Sequence, residues 1–330
     1  MSIQVANITL ESPVFLAPMA GITDLPMRQL VAGFGAGLVV SEMVASQEMV
    51  QAKPGVRGRA ALGLDGTGGM TAVQLAGRDP VWMARAARMV ADQGARIIDI
   101  NMGCPAKRVV GGLSGSALMR DPDRALTLIE AVVGAVDVPV TLKMRLGWDD
   151  DLLNAPDLAR RAQEAGVCLI TVHGRTRCQF YKGRADWAAI AAVKRAVTVP
   201  VIANGDIVDG ATALRALAQS GADGVMVGRG AQGRPWLLAQ IAARIAGRAV
   251  PDAPSGAALV DMVAGHYAAM LDFYGRDLGL RVARKHLGWY MDHAATASEL
   301  RRAVLTAREP GRVLALLDQA LCANAGKVAA

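Results

Sequence analysis

A single cysteine lies where an apolar segment ends and a glycine-rich loop begins, in the stretch INMGCPAKRVVGGLSGSA that starts at Ile100. The three other cysteines, at positions 168, 178 and 322, form no spacing with Cys104 or with histidine that is typical of a metal site. Cys104 is therefore a small buried hydrophobe, a nucleophile or a proton donor. An ordinary thiol has a pKa of about 8.5, so at neutral pH it can deliver a proton to carbon. A proton donor suits a reductase in which hydride adds to the other end of a polarised C=C bond.

Chemistry-bearing side chains also follow other apolar segments. In chain order the set is Met19, Glu42, Gln74, Asn101 with Cys104, Lys143 with Arg145, His173 with Arg175, Asn204 with Asp206, and Gly228 with Arg229. A fixed ammonium at Lys143 would stabilise negative charge on a reduced flavin ring, and His173 would hydrogen-bond the same heterocycle. The last two segments run into NGDI and GRGAQGRPW, which are typical of loops that bind phosphate through backbone N–H groups, here with Arg229. Such loops suit a phosphorylated cofactor, although sugars and pyridoxal phosphate use them too.

Eight short apolar, β-branched segments would bring these residues together. They cover 14–19, 38–43, 71–77, 96–103, 139–147, 169–175, 199–206 and 224–230. Alanine-rich amphipathic stretches with helical spacing separate them, and glycine closes most of these. Eight strand–helix units predict an α/β fold of the (β/α)8 TIM barrel type, with a doubly wound open sheet as the weaker alternative. The alternating segment IQVANITL before them predicts a hairpin strand that closes the barrel floor.

The pattern changes near residue 251. Beyond Pro251 and Pro254, helical stretches follow one another without strands, over 258–275, 280–293, 297–307 and 311–325. We therefore expect two domains, a catalytic barrel over residues 1–245 and a small C-terminal helical bundle over residues 251–330.

Composition narrows the class of protein. A chain of 330 residues with 52% hydrophobic residues can build a large core, so we expect it to fold. The apolar runs are shorter than the roughly 18 residues that span a bilayer, and the first residues lack signal-peptide features. These features predict a cytoplasmic protein with no membrane contact and no metal. Thirty-six Lys and Arg against 29 Asp and Glu give a net charge of +7, which suggests a polyanionic partner.

Basic residues gather in loops on the predicted face of the site. After the sixth strand, the loop HGRTRCQFYKGRADW interleaves Arg175, Arg177 and Lys182 with the aromatic pair Phe180 and Tyr181. Cations with interleaved aromatics suit phosphate contact and base stacking, as in RNA binding. The further cations are Lys107 and Arg108 after the fourth strand, and Arg284 and Lys285 on one face of a C-terminal helix. The three groups together favour an RNA partner.

The motifs resemble those of the tRNA-dihydrouridine synthase family, and within it the B branch. The resemblance is carried by DINMGCPAKRVVGGLSGSAL, an Asn-x-Gly-Cys-Pro core with a Gly-Ser pair eleven and twelve residues after the cysteine. It extends to APMAGITDLPMR, VQLAG, LKMRLGW, TVHGRTR, IANGDI, VGRGAQGRPW and ARKHLGWY. Matching motifs therefore run through essentially the whole chain.

The resemblance implies a cofactor site, an acid and an RNA surface. FMN would be held by Pro18, Met19, Ala20, Gln74, Lys143, His173, Asn204, Gly205, Asp206, Gly228 and Arg229. NADPH would reduce FMN, hydride would pass from flavin N5 to C6 of uracil, and Cys104 would protonate C5 as the general acid. The base would meet Asn101 and Arg175, and the tRNA would meet Lys107, Arg108, Arg177, Lys182, Arg284 and Lys285. The B branch implies uridine 17 of the D-loop as the target, and we predict no obligate protein partner.

Two other functions stay open at this point. A flavin barrel that acts on a free pyrimidine, such as dihydroorotate, would share FMN and the thiol chemistry. It would give no reason for basic loops around the barrel mouth. A barrel that binds RNA without catalysis would explain the basic loops but would carry no flavin.

Overall fold

The computed structural model describes residues 2–52, 55–62 and 69–322 and contains a closed barrel of parallel strands. An N-terminal antiparallel hairpin, β1 (Ile3–Val5) and β2 (Ile8–Leu10), precedes the barrel. The later strands are β3 (Val14–Leu16), β4 (Leu38–Val40), β5 (Val44–Ala45), β6 (Thr71–Ala76), β7 (Ile97–Met102), β8 (Val140–Arg145), β9 (Leu169–His173), β10 (Val201–Asn204) and β11 (Gly224–Val227). Neighbours pair in the order β3, β4, β6, β7, β8, β9, β10, β11, and β11 returns to β3. The two-residue β5 extends the edge of β6.

Helices alternate with the strands. Up to residue 245 they are α1 (Leu25–Gly33), α2 (Ser46–Val50), α3 (Val56–Arg59), α4 (Pro80–Asp92), α5 (Lys107–Gly111), α6 (Pro122–Val133), α7 (Ala155–Glu164), α8 (Trp187–Ala196), α9 (Gly210–Ser220) and α10 (Leu237–Ile245). Two 3₁₀ turns, Gly115–Arg120 and Arg229–Ala231, lie in the loops after β7 and β11. The architecture confirms the predicted (β/α)8 barrel and excludes the open sheet, whose end strands would not meet.

Aspartate caps fix where many of these helices begin. The carboxylate accepts hydrogen bonds from backbone N–H groups of the first turn, which otherwise have no partner in a helix. The capping residues are Asp24 for α1, Asp79 for α4, Asp121 for α6, Asp186 for α8 and Asp209 for α9. At the other end of α9, Gly221 takes a left-handed conformation with φ 64° and stops the helix.

Parallel register gathers the polar strand ends at one mouth of the barrel. Asn101 pairs opposite Lys143, Arg145 pairs opposite His173, and His173 pairs opposite Asn204. Every residue of β8, VTLKMR, is buried, because the barrel fills its own interior and helices cover its outside. Charged side chains on such a strand point into an enclosed space that has few water molecules to solvate them.

The hairpin closes the opposite end of the barrel. Ile3, Val5, Ile8 and Leu10 are buried together with residues near the starts of the barrel strands, among them Phe15. Its outward residues alternate with these, as the burial patterns of both strands show. The predicted hairpin and its place at the floor are therefore confirmed.

The chain continues as helices after the barrel. They are α11 (Gly256–Tyr274), α12 (Arg276–His293), α13 (Ser298–Thr306) and α14 (Pro310–Cys322). They share an apolar core built around Val263, Tyr267, Leu287 and Leu317, separate from the main barrel core. Residues 323–330, which the predicted C-terminal domain includes, lie outside the described part of the chain.

Candidate functional site

The backbone of Cys104 is held from two sides in the loop after β7. Asn101 Oδ1 accepts hydrogen bonds from the N–H groups of Gly103 at 3.2 Å and Cys104 at 3.0 Å. The carbonyl oxygen of Cys104 accepts from Ser116, whose N–H lies at 3.1 Å and whose Oγ lies at 2.9 Å. The half-buried thiol therefore projects from a backbone segment that the protein fixes without help from a ligand.

The Gly-Ser pair that follows the cysteine at a fixed spacing now has a physical explanation. Gly115 has φ 59°, and an added Cβ would lie 2.8 Å from the carbonyl oxygen of Cys104 and 2.8 Å from Val109. A side chain at position 115 would push the cysteine loop away. Ser116 then supplies the donors to the same carbonyl, so the pair acts as a clamp on the cysteine.

A chain of buried hydrogen bonds lies behind the cysteine loop. Asn101 Nδ2 donates to Gln74 Oε1 at 2.7 Å, and Gln74 Nε2 donates to Asp99 Oδ2 at 2.6 Å. Thr141 Oγ1 donates to the other carboxyl oxygen of Asp99 at 2.7 Å. Burial raises the pKa of Asp99 to about 6, against the hydrogen bonds from Gln74 and Thr141 and the charge of Lys143, which lower it. Gln74 is fully buried, so it reaches the site through Asn101.

Sequence reasoning missed Asp99. Its signal was present, because it is the one acid inside the apolar run RIIDINMG. A carboxyl in the middle of a buried strand must have donors around it. Here those donors include Gln74, whose other end orients Asn101 and through it Cys104.

Lys143 projects from β8 into the same mouth. Its Nζ donates to Asn204 Oδ1 at 3.1 Å, and Asn204 in turn donates from Nδ2 to the carbonyl oxygen of Met226 at 2.8 Å. Burial, assisted by the charge of Arg145, lowers the pKa of Lys143 to about 8. Among the described residues, Asn204 is the hydrogen-bond acceptor for this ammonium, so Lys143 keeps N–H donors that a ligand can use.

Arg175 uses its guanidinium within the protein. Its Nε and both terminal nitrogens donate to the carbonyl oxygens of Lys182 and Gly183 and to both carboxyl oxygens of Asp206. One terminal nitrogen also lies 3.3 Å from His173 Nε2. The side chain is 2% exposed. Its five N–H donors thus all have protein partners, and the expected contact of Arg175 with the base stays a prediction.

The contact with Arg175 assigns the tautomer of His173. Arginine can only donate, so Nε2 of the imidazole must accept and Nδ1 carries the proton. Burial first, and then the nearby charges of Lys143, Arg145, Arg175 and Arg229, hold the pKa of His173 well below its usual range. His173 is therefore a neutral imidazole with one N–H to offer.

The loops after β10 and β11 meet next to the loop after β3. Gly205 has φ 115° and packs against the ring of His173, where an added Cβ would lie 2.9 Å from Cδ2. A Cβ on Gly228 would lie in ordinary van der Waals contact with Met19 Sδ, at 3.7 Å, so the two loops adjoin. Pro18 and Ala20 flank Met19 at this edge of the mouth.

The side chain of Asp206 faces the protein. Its Oδ2 accepts from Ala185 N–H at 2.8 Å and from Arg175, and its Oδ1 lies 3.5 Å from Arg229. Hydrogen bonds and the charges of Arg175 and Arg229 lower the pKa of Asp206, although its burial acts in the opposite direction. Arg229 is 60% exposed at this point, so its guanidinium can also reach an anion. Asp206 would serve a phosphate through its backbone and by placing Arg229.

An anionic cofactor fits this set of residues. Four cations, Lys143, Arg145, Arg175 and Arg229, act on one histidine. Two carboxylates, Asp99 and Asp206, lie among them. The surplus of positive charge in a buried mouth and the free donors of Lys143 are features that FMN, with its phosphate and its polar ring edge, would satisfy.

Arg145 links the cysteine loop to the loop of residues 175–186. Its Nε donates to the carbonyl oxygen of Gly103, and one terminal nitrogen donates to the carbonyl oxygens of Thr176 and Phe180, all at 2.8 Å. The guanidinium also lies 5.4 Å from the ring centroid of Tyr181, as does that of Arg229. Tyr181 is 48% exposed and covers the mouth from one side.

The residues that are predicted to contact RNA differ in the exposure of their side chains. Lys107 and Arg108 are exposed on α5, close to Cys104 in sequence, and Lys182 and Arg284 are exposed as well. Arg177 is half-buried and stacks on Trp148, with the guanidinium 4.7 Å from the ring centroid. Lys285 is half-buried and donates to the carbonyl oxygen of Gly21 on the barrel. The structure therefore leaves the first four exposed to a polyanion, although Arg108 also lies 4.0 Å from Glu48, and it engages the last two within the protein.

The described ranges contain no group of three or more His, Cys, Asp or Glu side chains that could hold a metal ion. Nor does any helix within them have the length and hydrophobicity needed to cross a membrane. A groove of about 390 Å³ between α1 and α11 is lined by Leu30, Phe34 and His266 and contains none of the residues of the mouth.

Known proteins share both the sequence and the fold. The family model "Dihydrouridine synthase (Dus)" matches residues 15–326. A Rhodobacter capsulatus protein named "Probable tRNA-dihydrouridine synthase" is 65% identical over 97% of this chain and 98% of its own length. A Xanthomonas campestris protein named "tRNA-dihydrouridine synthase B" is 47% identical over 95% of this chain and 94% of its own length.

Solved structures that resemble the chain are more distant. A morphinone reductase variant in complex with tetrahydroNAD superposes with a TM-score of 0.55 at 15% identity, covering 78% of this chain and 92% of its own. Histamine dehydrogenase from Rhizobium sp. 4-9 gives a TM-score of 0.58 at 14% identity, covering 81% of this chain and 50% of its own. At this identity the likeness concerns the barrel fold alone, whereas the family model and the close relatives cover nearly the whole sequence. The chain therefore belongs to the dihydrouridine synthase family.

Proposed function

We propose that this protein is an FMN-dependent tRNA-dihydrouridine synthase that reduces uridine to 5,6-dihydrouridine in the D-loop of tRNA, at position 17, with NADPH as the reductant. The observation that carries the proposal is the convergence of Cys104, Lys143 and His173 at the carboxyl ends of three neighbouring strands in one positively charged mouth. The names of the close relatives support the reaction and the RNA substrate. Position 17 and NADPH both rest on the resemblance of the motifs to those of the B branch.

FMN would lie between the loop after β3 and the strand ends opposite. Pro18, Met19 and Ala20 would line one edge of the ring, Lys143 and His173 would donate to its polar rim, and Gln74 would support that rim through Asn101. The phosphate would be met by Arg229 and by the backbone of Asn204, Gly205, Asp206 and Gly228. When bound, FMN supplies the hydride that goes to C6 of the base.

His173 and Lys143 would serve the ring in different ways. The neutral imidazole offers its Nδ1 proton to a ring acceptor and does not add charge. The Lys143 ammonium, charged below pH 8, places a fixed positive charge where negative charge develops on the ring during reduction. Both side chains are held by protein partners, so little reorganisation is needed when the ligand binds.

Cys104 would hold the proton for C5. As the new C5–H bond forms, the S–H bond breaks and its electron pair stays on sulfur as a thiolate. Cys104 lies close enough to Lys143 and Arg145 to interact with both electrostatically, so these two cations would stabilise the negative charge that forms on the sulfur. Asn101, which keeps one N–H of its amide after donating to Gln74, can contact the base beside the thiol.

The substrate would reach this mouth as a splayed-out nucleotide. A uridine leaves its stack at a cost of a few kcal/mol, which is lowest in a loop. Lys107, Arg108 and Lys182 around the mouth and Arg284 on α12 would contact the phosphates, with Arg177 stacked on Trp148 beside them. In this arrangement residues 1–245 form the catalytic domain and residues 251–330 the tRNA-binding domain. A tRNA substrate would also place the protein in the cytoplasm.

One experiment tests the reaction and its substrate together. Purified protein loaded with FMN is given NADPH and either a tRNA transcript that carries uridine 17 or free uridine. Dihydrouridine should form in the tRNA and not in the free nucleoside, and replacement of the target uridine by cytidine should abolish it. Reduction of free uridine at the same rate would favour a free-pyrimidine enzyme, and a protein that binds tRNA but takes up no flavin would be an RNA-binding barrel.

A further inference from the structure

Two side chains of the C-terminal helices reach the loop between β3 and α1, residues 17–24, which we call the flavin-edge loop. Lys285 of α12 donates from Nζ to the carbonyl oxygen of Gly21. Tyr274, at the end of α11, donates from its hydroxyl to Asp24 Oδ2 at 3.0 Å. Residues more than 240 positions away in sequence therefore hold a loop whose first members line the proposed FMN site.

Gly21 is hydrogen-bonded through both its N–H and its carbonyl oxygen. Its N–H donates to Glu42 Oε1 at 2.5 Å, just beyond the end of β4, while its carbonyl oxygen accepts from Lys285. Gly21 has φ 71°, and an added Cβ would lie 3.4 Å from Lys285 Nζ, so the lysine fits closely over the turn. The Glu42 carboxylate as acceptor on one side and the Lys285 ammonium as donor on the other therefore fix the position of this turn.

Asp24 fixes the far end of the flavin-edge loop. It is buried, and its Oδ1 accepts from Met27 N–H at 3.0 Å to cap α1. Burial raises the pKa of Asp24, and the hydrogen bonds from Met27 and Tyr274 together with the charge of Lys285 lower it. A buried carboxylate that loses a donor is left with an unmet desolvation cost, so Tyr274 helps to keep this residue in place.

The loop between these two anchors is stiff. Met19 N–H donates to Thr23 Oγ1 at 2.8 Å, and the N–H groups of Ile22 and Thr23 donate back to the carbonyl oxygen of Met19 at 2.9 and 3.0 Å. A restraint at Gly21 or Asp24 is therefore transmitted to Met19. Met19 is the residue whose sulfur lies near Gly228 across the proposed cofactor site.

We propose that Lys285 and Tyr274 are positioning residues for the cofactor, which hold the flavin-edge loop in the shape that the FMN ring requires. The inference rests on the proposed function, because it takes FMN as the ligand. It gives the C-terminal helices a part in cofactor binding in addition to RNA contact. It also explains why Lys285 is half-buried against the barrel while its neighbour Arg284 is exposed.

The test measures FMN affinity in place of turnover. Apoprotein is titrated with FMN, and the quenching of flavin fluorescence gives the Kd. Loss of a charged hydrogen bond predicts a Kd about tenfold higher for Lys285→Met, and about threefold higher for Tyr274→Phe. Lys285→Arg, which keeps a donor, should recover most of the affinity. Arg281→Met removes a charge from the same helix without touching the loop and should leave the Kd unchanged.

A second readout separates positioning from general stability. The visible circular dichroism of bound flavin reports how the ring is held, and thermal unfolding of the apoprotein reports the fold. We expect Lys285→Met and Tyr274→Phe to alter the dichroism of the bound flavin and to leave the melting temperature close to that of the wild type. If Lys285→Met yields no folded protein, Tyr274→Phe, which preserves the packing of the ring, decides the question.

The outcomes distinguish this inference from the proposed function. Wild-type protein that binds FMN while both variants bind it equally well would overturn the inference and leave the function standing. An equal loss in Arg281→Met would also overturn it, since the effect would then be one of net charge. Wild-type protein that binds no FMN would overturn the proposed function and the inference with it.

Discussion

Ser116 donates twice to the carbonyl oxygen of Cys104, once from its amide and once from its hydroxyl, while Asn101 accepts the Cys104 N–H from the other side. The backbone that carries the thiol is thus fixed on both sides before any ligand binds. Fixing the backbone removes most of the entropy that ordering the loop would otherwise cost at each turnover. The position of the sulfur is then set by one side-chain torsion, χ1.

Replacing Ser116 with alanine should misplace the thiol without removing it. The variant loses the hydroxyl bond and keeps the amide bond, so we expect dihydrouridine formation to fall about 3- to 10-fold. FMN content should stay unchanged, because Ser116 is not among the residues proposed to hold the cofactor. Single-turnover reduction of tRNA checks the rate. Ser114→Ala, whose hydroxyl makes a longer 3.4 Å contact to Gly112 in the same loop, is the matched control and should react like the wild type.

Removing the thiol itself should separate the two halves of the reaction. In Cys104→Ala we expect flavin content and NADPH oxidation to persist, while dihydrouridine formation drops by about 10²-fold or more, the scale of a lost general acid. Mass spectrometry of digested tRNA measures the product. Cys178→Ala, an exposed cysteine in the 175–186 loop, should retain full activity. Normal product yield from the Cys104 variant would remove it from the mechanism.

The guanidinium of Arg229 should matter for cofactor retention. It lies at the mouth beside Asp206 and is free to meet a phosphate, so Arg229→Ala should raise the Kd for FMN about tenfold or more, as expected for a lost charged hydrogen bond. Riboflavin, which has no phosphate, should bind the variant and the wild type alike. Arg215→Ala, on the exposed face of α9, is the control. Full FMN occupancy in the Arg229 variant would contradict the phosphate assignment.

Much of the barrel could be predicted because its strands are buried on both faces. Apolar runs then mark strands directly, as the predicted segment 139–147 and the observed β8, Val140–Arg145, illustrate. The short β5 could not be predicted, because two residues give no period.

The direction of polar side chains could not be predicted from position in a strand. Arg175 follows β9 as a site residue would, yet its guanidinium pairs with the carboxylate of Asp206, which lies 31 residues away and follows the neighbouring strand β10. Lys285 was predicted to lie on one helix face with Arg284, yet it turns to Gly21, 264 residues away. Sequence patterns give the strand or helix face, whereas the acceptor that a cation meets depends on the packing of distant loops.

RNA binding should depend on salt through the cations of the 175–186 loop. Neutralising Arg177 and Lys182 together removes up to two phosphate contacts, so the slope of log K against log salt should become shallower by about 1 to 2 units. Arg177 stacks on Trp148, and its loss should lower tRNA affinity at every salt concentration as well. Filter binding of tRNA across a salt series measures both. The control pair is Arg160→Gln with Lys194→Gln, whose partners are acids outside the mouth. An unaltered slope would count against contact with phosphate.

Lys143 should give the apoprotein a stability that depends on pH. Its pKa is about 8 in the folded protein, against an ordinary value of 10.5, so between these limits the unfolded chain binds more protons than the folded one. Stability therefore rises with pH across this window, by about 3 kcal/mol in all if each pKa unit contributes about 1.4 kcal/mol. Lys143→Met removes this rise. The free energy of unfolding of the variant should therefore exceed that of the wild type by the largest amount below pH 8, and the difference should shrink towards pH 10.5.

Urea unfolding of both apoproteins at several pH values between about 7.5 and 10.5 measures the difference. Lys194→Met, a partly exposed lysine of α8 paired with Asp223, is the control and should show no such trend. Equal differences between wild type and Lys143→Met at every pH would mean that the ammonium is solvated in the mouth. In that case it would not be the preorganised charge that the proposed mechanism requires, because preorganisation depends on a site that excludes water.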